Sequence, residues 1–206
     1  MVHHVRHPLV QDILLELRDS QTAPERFRQL TSRISVLLAA EALRDVPTVP
    51  ETVVTPLGPA TGTRVRADVV LVPVLRAGLG MLPGMLELMP GARVGHIGLQ
   101  RDERTAVAAQ YYAKLPSPLT DSYVLMIDPM LATGGSAVAA LDLLTRAGAR
   151  HIRLVCIVAA PEGVTAVEHA YPNVPIFTPV IDERLNDQKY IVPGLGDFGD
   201  RLYGTA

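Results

Sequence analysis

The feature that most constrains the fold is an unbroken succession of strand, loop, helix and strand in the middle of the chain. The apolar residues 124–127 end on Asp128, and a short loop leads into the alanine- and leucine-rich residues 137–147. Gly148 stands where a helix ends in a C-terminal cap, and residues 152–159 are again apolar. This order predicts a parallel sheet, with the loop at the carboxyl ends of the strands, where such folds bind ligands.

The loop combines an acid with groups that hold anions. Gly134 and Gly135 are adjacent, so backbone N–H groups can close on an anion, and the following helix N-terminus adds partial positive charge. Thr133 and Ser136 add hydroxyl groups. Asp128 is poorly placed for a phosphate but suits sugar hydroxyls or a metal-bound water. A loop that holds phosphate with its amides and ribose with its acid predicts a phosphoribosyl site.

Other common motifs do not account for this loop. It lacks the Gly-Lys-Ser/Thr of a Walker loop and the G-x-G-x-x-G spacing of dinucleotide-binding folds. The chain also has no Gly-x-Ser-x-Gly elbow, which argues against a serine hydrolase. A plain strand-to-helix connection is the simplest alternative. The acid at the strand end and the surrounding β-α-β order favour a ligand site instead.

Composition narrows the class of protein. The chain has 206 residues, 48% of them hydrophobic, which suits one α/β domain with a substantial core. A net charge of −2 gives no electrostatic basis for binding nucleic acid or a membrane, and no apolar run approaches the roughly 20 residues that cross a bilayer. The single cysteine, Cys156, is expected to be a core residue. Without an intrachain disulfide or a signal sequence, a cytoplasmic location is expected.

Periodicity predicts the remaining elements. Strands alternate with helices, which indicates a doubly wound α/β architecture in one domain spanning residues 1–206. The predicted strands are residues 69–75, 93–99, 123–127, 152–159 and the shorter 176–181. The predicted helices are residues 8–18, 24–44, 78–88, 136–147 and 164–170. Residues 46–59, rich in proline and threonine, are expected to form a loop or an edge hairpin.

Two stretches do not fit the regular alternation. Residues 101–121 form a connection of the length that is usual for a lid or hairpin flap. Residues 190–204 are rich in glycine yet retain apolar side chains, which predicts a packed, irregular backbone that itself contacts a ligand. The six histidines show no zinc-ligand spacing, and His3 and His4 are expected to be solvated terminal residues.

Arg76 and Arg101 each lie at the end of a predicted strand. Arg76 stands between the apolar Leu75 and Ala77, which favours a ligand-facing role over a surface ion pair. Two guanidinium groups and a glycine-rich loop at one sheet edge fit a diphosphate together with a 5′-phosphate.

Taken together, these motifs resemble those of the uracil phosphoribosyltransferase family, a branch of the type I phosphoribosyltransferases. The resemblance runs along nearly the whole chain. It rests on His7-Pro-Leu, Leu75-Arg-Ala-Gly-Leu-Gly-Met81, Asp128-Pro-Met-Leu-Ala-Thr-Gly-Gly-Ser136, Ala159-Ala-Pro-Glu-Gly163 and Tyr190-Ile-Val-Pro-Gly-Leu-Gly-Asp197. Pro129 is specific, because most type I relatives carry a second acid at that place, whereas the uracil enzymes resemble this chain.

The resemblance implies a fold and a reaction. The fold would be a type I phosphoribosyltransferase-like parallel sheet flanked by helices, with a flap hairpin and a hood formed from the N- and C-terminal segments. The reaction would transfer ribose 5-phosphate from phosphoribosyl diphosphate (PRPP) to N1 of uracil, giving UMP and diphosphate in pyrimidine salvage. Mg²⁺, carried on the diphosphate mostly through water rather than held in a protein metal site, is the implied cofactor.

The resemblance also assigns residues to roles. Asp128, Arg101 and Asp197 would be catalytic. Within a C-terminal segment of about 182–206, uracil would be bound by Ile191, Gly196, Asp197 and Phe198. The PRPP site would be formed by Arg76, Arg101, Asp128, Pro129, Met130, Leu131, Ala132, Thr133, Gly134, Gly135, Ser136 and Asp197.

The chain departs from the family pattern in two places. Phe198 stands where alanine is expected, which predicts a uracil pocket that is narrowed or capped differently. Gln100 stands where relatives have a tyrosine before Arg101. The family further implies a homodimer or higher homo-oligomer and, in some members, activation by GTP. Two alternatives stay open. One is the same transfer to another base, suggested by Phe198. The other is an RNA-binding regulator that senses PRPP or UMP, against which the acidic balance weighs.

Overall fold

The computed structural model describes residues 1–101 and 108–205, and for Arg101, Ala108 and Ala109 it describes the backbone alone. The strands are β1 (Val2–His4), β2 (Thr48–Thr55), β3 (Gly58–Val65), β4 (Val69–Leu75), β5 (Arg93–Val94), β6 (His96–Arg101), β7 (Ala108–Lys114), β8 (Tyr123–Ile127), β9 (Met130–Leu131), β10 (His151–Val155), β11 (Val158–Ala159), β12 (Ile176–Thr178), β13 (Arg184–Leu185) and β14 (Ile191–Val192). The helices are α1 (Pro8–Arg18), α2 (Pro24–Ala42), α3 (Leu82–Leu88), α4 (Gly135–Arg146), α5 (Pro161–Ala170) and α6 (Phe198–Tyr203), with a 3-10 turn at Ala77–Gly80.

One large sheet organises the molecule. Its strand order is β1-β12-β10-β8-β4-β6-β7, and β5 lies beside β4. Neighbouring strands are parallel except β6 and β7, which form an antiparallel hairpin at one edge. Parallel strands joined by helices are the predicted α/β architecture, so the fold class is confirmed.

Successive residues of the central strands serve two hydrophobic cores. In β4, Val69 and Leu71 pack into a core with α1, α2, α3 and α6. Val70 and Val72 of the same strand pack into a second core with α4 and α5 on the opposite face. Because both faces are covered, these strands read as continuous apolar runs in the sequence. The continuous runs therefore predicted β4 and β8 with their observed bounds.

Several predicted elements are divided differently in the structure. The strand predicted at 152–159 splits into β10 and β11, because the amides of Ile157 and Val158 both donate to the carbonyl of Pro129 and turn the chain toward β9. The strand predicted at 176–181 ends at Thr178, and the helix predicted at 78–88 is a 3-10 turn followed by α3. Helix α5 begins earlier than predicted, at Pro161, where proline suits the first helical turn.

The chain terminus and the predicted hairpin also differ from expectation. His3 and His4 are exposed, but they belong to strand β1, which pairs in parallel with β12, and the ring of His3 stacks on Phe177 at 4.7 Å. The hairpin expected within residues 46–59 extends to Val65, as β2 and β3. These two strands form a separate two-stranded sheet.

The N- and C-terminal segments meet over one face of the sheet. Helices α1, α2 and α6 contribute to the same core, and the ring of Phe27 contacts the ring of Phe198 edge to face at 5.0 Å. This is the arrangement expected for a hood. None of the helices within residues 1–101 and 108–205 is long and apolar enough to cross a membrane.

Candidate functional site

Three neighbouring strands bring the predicted charged residues to one edge of the sheet. β4 lies between β6 and β8, and the three strands run parallel. Arg76 follows β4, Arg101 ends β6 and Asp128 follows β8. Because the carboxyl ends of parallel strands share one edge, the backbone of all three residues lies there.

The loop from β9 to α4 encloses a small cavity at this edge. The cavity has a volume of about 120 Å³, which is ample room for a small ligand group or several waters. Its lining combines one carboxylate with loop backbone and two hydroxyl side chains: Asp128, Met130, Leu131, Ala132, Thr133, Gly134, Ser136 and Ala137. The cavity therefore contains both groups that the sequence predicted, the acid and the anion-binding loop.

Gly134 immediately precedes helix α4, as its N-cap residue, in a left-handed conformation. Its φ is +83°, and the first helical hydrogen bond runs from the Val138 amide to the Gly134 carbonyl at 2.9 Å. Gly134 supplies no side-chain cap, and the nearest side-chain acceptor for the next amide is the Thr133 hydroxyl at 3.5 Å. The first amides of α4 precede the intrahelical ladder, so they are available to an anion at the positive end of the helix dipole.

Helix α5 packs directly against the same loop. A Cβ atom at Gly163 would lie 2.5 Å from the Ala132 carbonyl oxygen, and one at Gly134 would lie 2.7 Å from Cβ of Ala166. Both positions therefore need glycine, and the loop is held between α4 and α5.

Two residues of the predicted loop do not line the cavity. Pro129 is buried, and its carbonyl accepts hydrogen bonds from the amides of Ile157 at 2.9 Å and Val158 at 3.0 Å. It thereby anchors the loop to β11. Gly135 is the first residue of α4, and its amide lies 3.5 Å from the Thr133 hydroxyl oxygen.

Asp128 has an unusual protonation equilibrium for an aspartate. Burial among the apolar strand ends raises the pKa of its carboxyl to about 6, and a hydrogen bond from the Met130 amide at 3.4 Å opposes that shift. The side chain still reaches the cavity and keeps partial exposure. An acid that is ionised at neutral pH in a poorly solvated place interacts strongly with positive charge developing nearby.

Arg76 lies on the exposed surface of the loop after β4, and α6 supports that loop. The hydroxyl of Tyr203 donates to the Arg76 carbonyl at 3.3 Å, and the guanidinium carbon of Arg76 lies 6.0 Å from the centre of the Tyr203 ring. A Cβ at Gly80 would lie 2.6 Å from Leu202, so α6 and the 3-10 turn are in close contact. Arg76 is therefore exposed beside the C-terminal helix, which holds the backbone of its loop.

The predicted flap is only partly within the described residues. The side chain of Arg101 and residues 102–107 lie outside them. The β6–β7 hairpin is the expected flap hairpin, with Arg101 opposite Ala108. The flap was predicted to extend to residue 121, but Leu119 is 1% exposed and packs in the second core, so residues 115–121 belong to the body of the domain.

The C-terminal segment is more regular than predicted. Ile191 lies in β14, which pairs antiparallel with β13. The irregular part is short, with positive φ at Gly194 (+60°) and Gly196 (+72°). Asp197 then caps α6, its carboxylate accepting a hydrogen bond from the Asp200 amide at 2.9 Å. Asp197 and Gly196 are exposed, so a ligand can reach the turn before α6.

Phe198 directs its side chain into the core beneath the turn and not to the exposed side of the turn. Its side chain is 2% exposed and its ring packs on Phe27. Position 198 is the first residue of α6, and the buried face of that helix, Phe198 and Leu202, points toward α2. The larger side chain therefore fills the hydrophobic core beneath the turn, and the reason for expecting another base is removed.

The sequence did not predict the buried residues that hold the backbone of this turn in place. Asp182 is 7% exposed and bonds to both Arg18 and the Gly194 amide. Arg201 donates to the carbonyls of Leu17, Asp19 and Leu195. No local pattern signals these contacts, because Arg18 and Asp182 are separated by 164 positions in the chain.

The carboxylates at the site suit a magnesium ion that arrives with a diphosphate. Mg²⁺ in such sites is held by one or two carboxylates and by substrate phosphates, and it keeps several waters. Asp128 lines the cavity and Asp197 is exposed in the C-terminal turn. Within the described ranges, no group of three or more His, Cys, Asp and Glu side chains comes together.

Comparison with known proteins gives consistent results over the full length. A sequence model of the family described as uracil phosphoribosyltransferase matches residues 4–205. The uracil phosphoribosyltransferase of Dictyoglomus turgidum is 52% identical over 206 residues, covering 100% of both chains. That of Halalkalibacterium halodurans is 50% identical over 200 residues, covering 97% of this chain and 96% of the relative.

Solved structures agree on the fold. A protein from Aquifex aeolicus superposes with a TM-score of 0.94 at 38% identity, covering 100% of this chain and 99% of that one. An adenine phosphoribosyltransferase from Trypanosoma brucei superposes with a TM-score of 0.59 at 14% identity, covering 88% of this chain and 83% of that one. The second similarity concerns the fold alone.

Proposed function

The chain belongs to the uracil phosphoribosyltransferase family, and from this premise we propose that it transfers ribose 5-phosphate from PRPP to N1 of uracil, forming UMP and diphosphate. The observation that carries the proposal is the cavity formed by Asp128 and the Met130–Ser136 loop. It combines an anion-binding helix end with a carboxylate for the sugar. Family membership supplies the acceptor base, and pyrimidine salvage is the corresponding role.

The phosphate end of PRPP binds at the start of α4. The amides that follow Gly134 and the hydroxyls of Thr133 and Ser136 surround the 5′-phosphate in the cavity. Because these groups are fixed by α5 packing on the loop, binding costs little reorganisation.

Asp128 acts on the ribose. Its carboxylate accepts hydrogen bonds from the ribose hydroxyls and faces the ring as diphosphate leaves the anomeric carbon. That step develops positive oxocarbenium character on the sugar, which a poorly solvated carboxylate stabilises. The enzyme thereby contributes mainly position and charge, and the N1 proton of uracil passes to diphosphate or solvent.

The diphosphate lies at the arginine end of the site. Arg76 and Arg101 follow neighbouring strands and bind its oxygens, and Asp197 lies between uracil and the diphosphate. Asp128 and Asp197 would contribute ligands to a Mg²⁺ ion arriving with the diphosphate, and that ion would supply charge neutralisation for the leaving group. Ile191, Gly196 and Phe198 hold uracil through their backbone groups.

The direct test is nucleotide formation by the purified chain with PRPP, Mg²⁺ and one base at a time. We expect kcat/KM for uracil to exceed that for cytosine and hypoxanthine by about 10³-fold or more, because a site that hydrogen-bonds a base edge leaves buried polar groups unpaired with the wrong base. Uracils with substituents at C5 test how much space the base-binding site leaves next to the turn before α6. Product is measured by chromatography, with PRPP omitted as the control. Binding of PRPP without conversion of any base would contradict the proposal.

We extend the proposal to a homo-oligomer in which the β2–β3 hairpin contacts a second copy of the chain. The hairpin pairs with no other strand of the described chain, and a lone two-stranded hairpin is marginal in water. Val54 is 89% exposed and Leu57 is 101% exposed. Covering these side chains by a second copy removes apolar area from water and stabilises the hairpin.

Aspartate at both Val54 and Leu57 is therefore expected to shift the chain from an oligomer to a monomer in sedimentation velocity at micromolar concentration. Leu15→Asp is the matched control, because Leu15 is 71% exposed on α1, away from the hairpin. An unchanged sedimentation coefficient in the double variant would rule out the hairpin as the contact.

Two further parts of the proposal follow from the family. GTP is proposed as an effector, tested by whether it changes kcat/KM for PRPP in the assay above. A cytoplasmic location is proposed as well. It is supported by the cysteine content, since the single Cys156 is a buried free thiol and the chain can form no intrachain disulfide.

A further inference from the structure

A buried carboxylate joins three separate parts of the chain behind the C-terminal turn. The side chain of Asp182 is 4% exposed, and its two oxygens accept from the Arg18 guanidinium at 2.7 and 2.9 Å. One of these oxygens also accepts from the Gly194 amide at 2.8 Å. Arg18 in turn donates to the Gly194 carbonyl at 2.9 Å. Both polar groups of the Gly194 peptide backbone are thus held by one ion pair.

Asp182 is itself fixed to the strands that carry the phosphate loop. Its amide donates to the Ala159 carbonyl at 2.8 Å, and Ile181 forms a parallel bridge with Ala159. Ala159 belongs to β11, which pairs in parallel with β9, and β9 leads directly into the loop. A short path of backbone hydrogen bonds therefore connects the phosphate loop to the Asp182 carboxylate.

The peptide at Gly194 is in turn closely coupled to Ile191. Gly194 has φ of +60°, and a Cβ there would lie 2.1 Å from the Ile191 carbonyl oxygen. Gly194 therefore packs closely against the Ile191 carbonyl, and a displacement of Gly194 is expected to disturb the backbone at Ile191. Arg201 holds the next residue, Leu195, through its carbonyl at 3.0 Å.

We propose that Arg18 and Asp182 are positioning residues that fix the uracil-binding turn relative to the phosphate loop and so determine affinity for the base. The inference rests on the proposed function, in which the backbone at Ile191 and Gly196 holds uracil. Neither side chain needs to touch a substrate. Their effect passes through Gly194 on one side and through Ala159 and β9 on the other.

A purely structural ion pair is the competing explanation. Breaking a buried pair destabilises a protein wherever the pair lies. The two explanations predict different effects of the substitutions on the KM values of the two substrates. A structural pair affects stability alone or both substrates alike, whereas a positioning pair affects KM for uracil selectively.

The experiment measures both KM values for Arg18→Met and Asp182→Asn, alongside thermal unfolding. We expect KM for uracil to rise about 10- to 100-fold, the effect of a displacement near 1 Å, with KM for PRPP within about threefold of the wild type. Arg18→Lys keeps the charge but cannot serve both the carboxylate and the Gly194 carbonyl in the same way, so an intermediate KM for uracil is expected.

Glu16→Gln is the matched control, because Glu16 lies on α1 with Arg18 and its half-exposed ion pair is made with Arg26 of α2, away from Gly194. Its KM values should be those of the wild type. Equal rises in both KM values, or a lower melting temperature with unchanged KM values, would overturn the inference. If Arg18→Met and Asp182→Asn do not fold, Arg18→Lys decides between the same outcomes. If the wild type forms no UMP, the proposed function is overturned. If the wild type and the variants are active but KM for uracil does not rise selectively, only this inference is overturned.

Discussion

Asparagine in place of Asp128 is expected to lower kcat by about 10²- to 10³-fold while KM for PRPP changes by less than about threefold. Asparagine keeps hydrogen bonding to the ribose hydroxyls but removes the negative charge that stabilises the oxocarbenium-like transition state. Because Asp128 lies in a poorly solvated place, its charge acts with little screening. Steady-state kinetics at saturating uracil measure both constants.

Asp121→Asn is the control for this substitution, since Asp121 is exposed before β8. It should leave kcat and KM unchanged. An Asp128→Asn variant with nearly full kcat would show that the acid does not act on the transition state.

The raised pKa of Asp128 also predicts a pH dependence. The carboxyl titrates near pH 6, so kcat/KM for PRPP should fall tenfold per pH unit below about pH 6 as the acid takes up a proton. An acid limb near pH 4, the range of an ordinary aspartate, would contradict the burial of this carboxyl.

The raised pKa of Asp128 also affects folding stability, which should decrease with rising pH whereas activity increases. Between pH 3.8 and about 6 the folded protein holds a proton on Asp128 that the unfolded chain has lost, so stability falls as pH rises through this window. Asparagine does not titrate, so the Asp128→Asn variant does not lose stability in this way as pH rises. It should be more stable than the wild type by about 1–3 kcal/mol at pH 8, and by less at pH 5. Urea denaturation of the ligand-free protein at both pH values measures the difference.

The second large effect is expected at Gly134. Alanine there must adopt φ near +83°, at a cost of about 1–2 kcal/mol, and its Cβ would lie 2.7 Å from Ala166. The strain would be relieved by moving the loop away from α5, which misplaces the amides that hold the 5′-phosphate. KM for PRPP should rise by about tenfold or more, with a lower melting temperature.

Gly135→Ala is the matched control for that change. Its φ is not positive, and the nearest atom to a Cβ there is the Thr133 hydroxyl oxygen at 3.7 Å. It should alter KM for PRPP by less than about threefold. Equal behaviour of the two variants would show that the left-handed conformation of Gly134 does not shape the phosphate site.

Local patterns predicted much of the fold because the central strands are buried on both faces. Such strands leave continuous apolar runs, and β4 and β8 have the predicted bounds. The order of strand, acid, glycine loop and helix also brought Asp128 and the loop to one cavity. Errors occurred where a single tertiary contact redirects the chain, as at Pro129, whose carbonyl divides the predicted strand 152–159.

The sequence by itself determined the layered α/β class, the strand order along the chain and which loop lines the cavity with Asp128, because these depend on neighbours within one strand–loop–helix unit. Only the tertiary structure decided that Phe198 fills the core instead of the pocket and that burial raises the pKa of Asp128. It also decided that Arg18 and Asp182 hold the Gly194 turn. The packing of Phe198 and the Arg18–Asp182 pair depend on contacts between residues more than a hundred positions apart. The pKa of Asp128 depends on how several strands together exclude water from it. A local sequence pattern contains neither kind of information.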